Sequence, residues 1–407
     1  MTSLESKFAR LATDNAPGQE TRRPADGIET LLLGAPLKGR HVDFSHGDVD
    51  AFPPIPGSLD AFLEGVDLGG RQAYTEYRGS EKARENVAAK LTKYTGMAVS
   101  GPSELIITPG TQGALFLAIG STVSAGCKVA VVQPDYFANR KLVEFFDGIV
   151  VPVELNYLDA TDRAGLDLDQ LENAFRSGAR VLIFSNPNNP VGVVYSRNEL
   201  QSIAELAGRY GAFVIVDQLY CRQIYDGKGY QHFCDTGFPL NDHVTVMGPS
   251  KTESLSGYRL GVAFGGRAVI ERMEKLQAIV SLRAGGYNQS VLQVWFDEPH
   301  GWMLDRIARH QAIRDGIIAV LHDVQGLSVR TTEAGSYLFP QLPRLTLPMG
   351  DFVKVLRHQA AVTVTPGAEF GPDSIDSFRI NFSQDHETAV QAMRRVAEMI
   401  DRYRTRD

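Results

Sequence analysis

The stretch Val181-Leu-Ile-Phe-Ser-Asn-Pro-Asn-Asn-Pro-Val-Gly192, followed by Phe213-Val-Ile-Val-Asp-Gln-Leu-Tyr220, decides the fold. Each part opens on four apolar residues without polar alternation, the pattern of a strand buried on both faces. Between them, Arg197 to Tyr210 has helical spacing. Strand, helix and strand in this order form a crossover unit of a parallel sheet. Two Asn-Pro steps hold the loop after the first run extended. An aspartate stands directly after the second run.

Working outward, the same kind of run recurs at Leu105–Thr108, Lys128–Val132, Ile149–Val153, Val244–Met247 and Leu260–Phe264. Helix-length stretches lie at Gln112–Ser121 and Leu168–Arg176. These runs predict an α/β protein whose large domain is a mainly parallel seven-stranded sheet flanked by helices. The pattern changes after Ser281. A long helix is expected over Trp302–Val324, then strands at Tyr337–Pro340, Val362–Thr365 and Phe378–Phe382, and a closing helix over His386–Arg402. This reads as a smaller α+β domain. The expected division is an N-terminal segment, 1–65, packing with the small domain; a large domain, 66–290; and a small C-terminal domain, 291–407. Ligands in such sheets bind beyond the carboxyl ends of the strands.

Composition narrows the function classes. In 407 residues, 43% are hydrophobic and 22% charged, which is globular and not disordered. The net charge of −7 offers no basic footprint for nucleic acid. No run of eighteen apolar residues predicts a membrane span. Cys127, Cys221 and Cys234 are odd in number and fit no zinc spacing, so a reducing cytoplasm and no metal site are expected. Met1 to Arg23 is polar and lacks the apolar segment of a secretory signal. The Asn-x-Ser triplets at Asn288 and Asn381 are read as chance matches.

Five motifs follow predicted strands or interrupt one. Thr108-Pro-Gly-Thr-Gln-Gly-Ala-Leu115 is a strand, a Gly-rich turn and a helix start, where backbone N–H groups favour an anion. The Asn-Pro loop can hold an amide in a fixed place. Asp217 can pair with a cationic ring nitrogen, or cap a turn. Lys251, in Ser250-Lys-Thr252, can be a Schiff-base nucleophile, or a solvent-facing loop lysine. Arg379, inside Phe378-Arg-Ile-Asn-Phe-Ser383, can grip a carboxylate, or sit on an edge strand in water. Arg259, eight residues beyond Lys251, is a candidate phosphate ligand.

The order Gly-Thr-Gln, Asn-Pro-Asn-Asn-Pro, Asp-x-x-Tyr, Ser-Lys with Arg eight further on, then a late-strand Arg, resembles the fold-type I pyridoxal-phosphate enzymes. Within them it resembles the class I/II aminotransferases, from about Asp43 to the C-terminus. The resemblance implies that pyridoxal 5'-phosphate is the cofactor, held by the large domain. Lys251 would carry it as a Schiff base and shuttle protons. Asp217 would pair with the pyridine nitrogen, and Asn189 and Tyr220 with the phenolic oxygen. Tyr136, in Pro134-Asp-Tyr136, would stack on the ring. Thr111, Gln112, Ser250 and Arg259 would hold the phosphate. Tyr74 would reach the neighbouring subunit's phosphate, with Tyr77 as its rival, which implies a homodimer with shared active sites. Arg379 would bind the substrate's α-carboxylate, with Gly47 near it. Pro366, Gly367 and Phe370 resemble a late structural turn of the family.

The implied reaction moves an amino group between an L-amino acid and a 2-oxo acid in ping-pong fashion. A lyase, decarboxylase, cyclase or oxidase acting on an amino acid would use the same residues and is the alternative. Three positions depart from the family pattern: Val191 replaces a usual Thr, Gly248 a frequent Ser, and Gln218 a common Glu. Arg283, His46, Tyr287 and Asn288 are further pocket candidates.

Overall fold

The computed structural model describes residues 3–13, 16–19, 27–159 and 162–405. After an early strand β1 (Val42–Asp43), seven strands build the central sheet: β2 (Leu105–Pro109), β3 (Lys128–Gln133), β4 (Ile149–Glu154), β5 (Val181–Ser185), β6 (Phe213–Asp217), β7 (His243–Met247) and β8 (Leu260–Gly265). Their order is β2-β8-β7-β6-β5-β3-β4. Only β8 runs antiparallel to its neighbours. Each run read from the sequence as a buried strand lies inside one of these seven.

The apolar runs lack alternation because both sheet faces are covered. Leu182, Phe184, Val214 and Val216 point into one core cluster, and Val181, Ile183, Ile215 and Val244 into another. β4 differs from the expected fully buried strand. It is a sheet edge, and Ile149 is 49% exposed.

Helix ends are set by local chemistry. Ser196 and Glu199 form a reciprocal capping box at the start of Arg197–Tyr210, and Gly211 ends it in the left-handed region at φ 61°. Asp167 caps Leu168–Arg176 by accepting from Gln170 N–H. The helix expected from Gln112 begins at Gly110, so its first turn directly abuts β2.

The C-terminal region holds β9 (Tyr337–Leu338), β10 (Val362–Thr363), β11 (Thr365–Pro366) and β12 (Phe378–Asn381). Strands β11, β12 and β9 form an antiparallel sheet, and β1 pairs in parallel with β10. The single strand expected over Val362–Thr365 is thus two strands with different partners. The chain changes partner at Val364, and Pro366 offers no N–H to extend the second pairing. Val42, Phe44 and Phe52 join one core with Ile317, Phe352, Met393 and Tyr403 of the helices Trp302–His322, Met349–Ala360 and His386–Tyr403.

The first residues depart from the expected packing against the small domain. The helix Ser3–Leu11 lies on the helix Phe137–Phe145 beside the central sheet. Lys7 pairs with Asp147 at 3.2 Å. Lys141 Nζ donates to Ala12 O at 2.7 Å and to Glu369 at 2.6 Å, so one buried ammonium ties three chain segments. Parts of the predicted segments 1–65 and Met1–Arg23, namely residues 1–2, 14–15 and 20–26, lie outside the described residues. Among the described residues no helix is long and apolar enough to cross a membrane, and no cluster of His, Cys, Asp and Glu could hold a metal ion.

Candidate active site

Strand direction collects the motifs. β2, β3, β5, β6 and β7 are mutually parallel, so their following loops emerge on one side of the sheet. There they meet β9 and β12 across a cavity of about 300 Å³. Thr111, Gln112, Tyr136, Asn189, Asp217, Tyr220, Ser250, Lys251, Arg259 and Arg379 all line it. Gly47 is absent from the lining, although its neighbours Ser45 and His46 are there.

One end of the cavity is built for an anion. The helix Gly110–Thr122 starts there, with Thr111 and Gln112 in its first turn, and its leading N–H groups have no partner within the helix. Gly110 has φ +77°, and a Cβ there would overlap the guanidinium of Arg259. The glycine therefore lets Arg259 lie against the turn. Arg259 Nη1 donates to Ser256 O at 3.0 Å, and the guanidinium has no carboxylate partner among the described residues. Gly248 has a packing reason to depart from serine. A Cβ there would stand 2.9 Å from Thr111 Cγ2.

The middle of the cavity holds the titrating groups. Asp217 is 6% exposed, and burial raises its carboxyl to about 6 against the pull of the Leu219 N–H, 3.0 Å away. Such a carboxylate gains from a cation placed beside it. Tyr136 OH donates to Gln112 Oε1 at 3.0 Å, which holds the phenol ring at the cavity wall. Burial also pushes the Tyr220 phenol well up, so it stays a hydrogen-bond donor. Lys251 is exposed to the cavity, and its Nζ makes no hydrogen bond or ion pair among the described residues.

At the other end lies Arg379, 2% exposed. Nη1 donates to Asn189 Oδ1 at 3.1 Å and Nη2 to Ser45 O at 2.8 Å. Nε is buried without a partner. The guanidinium carbon sits 4.2 Å from the Tyr337 ring centre and 4.6 Å from that of Phe370. A buried cation with an orphaned N–H and no carboxylate partner among the described residues is poised for an anionic ligand. Arg379 also settles the Asn189 amide. A guanidinium only donates, so Oδ1 faces it and Nδ2 is left for the ligand.

Sequence reading missed two groups here. Tyr337 carries only a strand signal in the sequence, because a tyrosine in an apolar run looks like an ordinary β-former. Asp135 carries no signal of its own beside its neighbour Tyr136. Its carboxylate accepts from Ser185 N at 2.9 Å, from Tyr136 N at 2.5 Å and from the Ser185 hydroxyl. Ser185 Oγ in turn accepts from Asn189 N at 3.3 Å, so Asp135 braces the Asn-Pro loop. Only the β3–β5 pairing brings these residues together.

Burial raises Asp135 to about 7, opposed by its hydrogen bonds and reinforced by the nearby Asp217. The folded protein thus keeps a proton that the unfolded chain has released. That stabilisation is complete below about pH 4 and is lost as pH rises through about 7. The unliganded wild type should therefore lose more thermal stability than Asp135→Asn between about pH 5 and pH 8. Parallel losses in a melting series would contradict this assignment.

The remaining candidates lie elsewhere. Tyr74 is 82% exposed and Tyr77 42%, and both rings contact Arg283, at 5.8 and 5.5 Å, on the outer surface. His46 is on the cavity rim, 3.5 Å from Asp43. Asn288 donates to Tyr258 O at 2.8 Å and lines an adjoining cavity that shares Ser256. Tyr287 lines neither cavity, and its carbonyl faces Gly65. Val191 is 2% exposed and belongs to the core beneath the Asn-Pro loop. Gln218 Oε1 lies 2.9 Å from His232 Nδ1.

Comparison with known proteins agrees with this geometry. The family described as aminotransferase class I and II matches residues 42–396. A crystal structure of an aspartate aminotransferase from Rhodobacter sphaeroides shares 60% identity with a TM-score of 0.95, covering 99% of this chain and 100% of that one. An aspartate aminotransferase of Sulfolobus acidocaldarius is 28% identical over 88% of this chain and 90% of its own length. An aromatic-amino-acid aminotransferase of Thermococcus litoralis is 24% identical over 80% and 84%. The chain accordingly belongs to the class I and II aminotransferases, enzymes that transfer amino groups with pyridoxal phosphate.

Proposed function

We propose that the cavity at the strand ends is where this aminotransferase exchanges an amino group between an L-amino acid and a 2-oxo acid. One observation carries the reading: the buried guanidinium of Arg379 shares a single cavity with the amine of Lys251, and among the described residues neither has a carboxylate partner. The residues present fit pyridoxal 5'-phosphate. The Gly110 cradle with Arg259, Thr111, Gln112 and Ser250 suits a phosphate. Asp217 suits a protonated ring nitrogen, and the free Nδ2 of Asn189 with the Tyr220 hydroxyl suits a phenolate. Tyr136 closes the wall beside the ring.

When bound, the cofactor supplies an aldehyde for the substrate amine and a ring that accepts the electron pair left at Cα. Arg379 binds the α-carboxylate and so orients the Cα–H bond. Lys251 Nζ would take the proton from Cα and deliver it to the cofactor carbon that had carried the aldehyde, so that proton and electron pair both leave Cα. Asp217, as a carboxylate, keeps the ring nitrogen protonated. The Arg379–Asn189 bond couples carboxylate binding to the amide that holds the ring.

The 60% identical aspartate enzyme makes a dicarboxylic amino acid the first substrate to try. A homodimer with Tyr74 reaching the partner's phosphate is supported by exposed apolar residues around Arg283: Tyr74, Ile279, Val280 and Leu282. The free cysteines suit a reducing cytoplasm. The core that joins Val42, Phe44 and Phe52 to Phe352 and Met393 supports a small domain made from both chain ends, while Ile55, Val291, Leu292 and Trp295 pack with the sheet residues Leu105 and Val262, which favours a large domain extending past 65 and 290 at both ends.

The test is to add amino acids one at a time to the loaded enzyme without any oxo acid. Loss of the visible band with one equivalent of 2-oxo acid per site is expected. Ammonia released over many turnovers would defeat the transfer reading. Sedimentation of the same sample should show two chains, and an active monomer would remove the role of Tyr74.

A further inference from the structure

Tyr337 belongs to neither the phosphate end nor the recognised carboxylate grip, yet it touches both working groups of the cavity. β9 pairs with β12 so that Tyr337 stands opposite Asn381, two residues from Arg379 on the same face. That register puts the Tyr337 ring under the guanidinium at 4.2 Å. The Tyr220 hydroxyl donates to that of Tyr337 at 2.6 Å, with the two rings edge to face at 5.4 Å. The pair is buried, at 3% exposure each.

The surroundings fix this arrangement. Gly335 has φ +72°, and a Cβ there would press on the Tyr220 ring at 3.2 Å. Thr332 Oγ1 donates to Tyr337 O at 2.6 Å, holding the backbone that carries the ring. Two hydroxyls share one contact, and each has a single hydrogen. Once Tyr220 gives its hydrogen to an anionic oxygen in the cavity, the contact survives only if Tyr337 donates to Tyr220.

We propose that Tyr337 is a positioning residue of the amino-transfer site, donating to Tyr220 and linking that hydroxyl to the carboxylate grip at Arg379. The inference rests on the reading of the cavity given above. The charged groups facing Tyr337 are Arg379, Lys251, Asp217 and the Tyr220 phenol. Burial alone would raise the Tyr337 phenol, but Arg379 and then Lys251 pull it below its ordinary range. A carboxylate on Arg379 cancels the larger of those pulls. Tyr337 then holds its proton more firmly and remains a neutral donor while substrate is bound. Carboxylate binding is thereby felt at Tyr220 through one ring and one hydrogen bond.

Tyr337→Phe separates the hydroxyl from the ring. In the loaded enzyme without substrate, Tyr220 becomes a weaker donor. The pH midpoint of the visible band should then rise by about half a unit. The turnover number should fall by roughly three- to tenfold, with KM for the amino acid nearly unchanged because the ring stays under Arg379. Tyr337→Leu also removes the ring, and should raise KM several-fold in addition. A merely structural tyrosine would change the melting temperature and leave the midpoint in place. An unshifted midpoint in Tyr337→Phe, with wild-type enzyme that loads cofactor and responds to amino acids, overturns this proposal. Wild-type enzyme that fails to load or respond overturns the reading of the cavity instead.

Discussion

Lys251→Ala should lower turnover by on the order of 10⁴-fold or more while leaving the fold intact. A general base alone contributes about 10² to 10⁴, and the variant also loses the amine that carries the cofactor. The fold should survive because Lys251 is exposed and unpaired among the described residues. Removal of such a side chain changes stability by about 0.5 kcal/mol or less. The checks are a steady-state assay, a melting curve and the visible spectrum. Lys251→Arg keeps the charge but not the chemistry, since a guanidinium stays protonated at working pH. It should be equally inactive. Turnover within tenfold of wild type in either variant would remove Lys251 from the reaction.

Arg379→Ala should reduce kcat/KM for amino acids by roughly 30- to 5,000-fold, the equivalent of about 2 to 5 kcal/mol for truncating one partner of a buried, hydrogen-bonded charge pair. Cofactor uptake should change much less, because the phosphate end of the cavity lies with Arg259 and Gly110. Arg379→Lys should not rescue the loss. A lysine cannot reach Asn189 Oδ1, Ser45 O and a carboxylate with the same planar fork. An unchanged KM in both variants, measured by half-reaction titration, would move the carboxylate site elsewhere.

The cavity residues differed in how openly they declared themselves. Asp217 and the Asn-Pro loop were visible because each follows an unbroken apolar run, and a polar group after a doubly buried strand has few places to go. Taken alone, Lys251 reads better as a solvent-facing loop lysine, and an edge-strand arginine in water is as good a reading of Arg379 as a carboxylate grip. Only their order along the chain favoured the site. Asp135 and Tyr337 gave no signal of their own. An aspartate before an aromatic and a tyrosine in a short strand are ordinary residues until their neighbours are known. Both acquire meaning from pairings across long sequence distances: Asp135 with Ser185, and Tyr337 with Tyr220 and Arg379.

The N-terminal helix shows the same limit. Ser3–Leu11 has an amphipathic pattern that would suit many surfaces. Its place on Phe137–Phe145 is set by Lys7 with Asp147 and by Lys141 with Ala12 O, contacts no local pattern encodes. Pro17 and Gly18 then come to line the cavity.

By itself the sequence determined the strands of the central sheet, their parallel course and the side of the sheet where ligands meet. Those features follow from hydrophobic period and from the stereochemistry of crossover connections, which act over a few residues at a time. It also determined the family, through the order of its motifs. Tertiary structure alone decided which groups share the cavity, which are buried and which are left without partners. Burial and pairing are properties of what surrounds a side chain. They shift a carboxyl from its ordinary range to about 6 or 7 at Asp217 and Asp135, and they leave the Arg379 N–H open to a ligand.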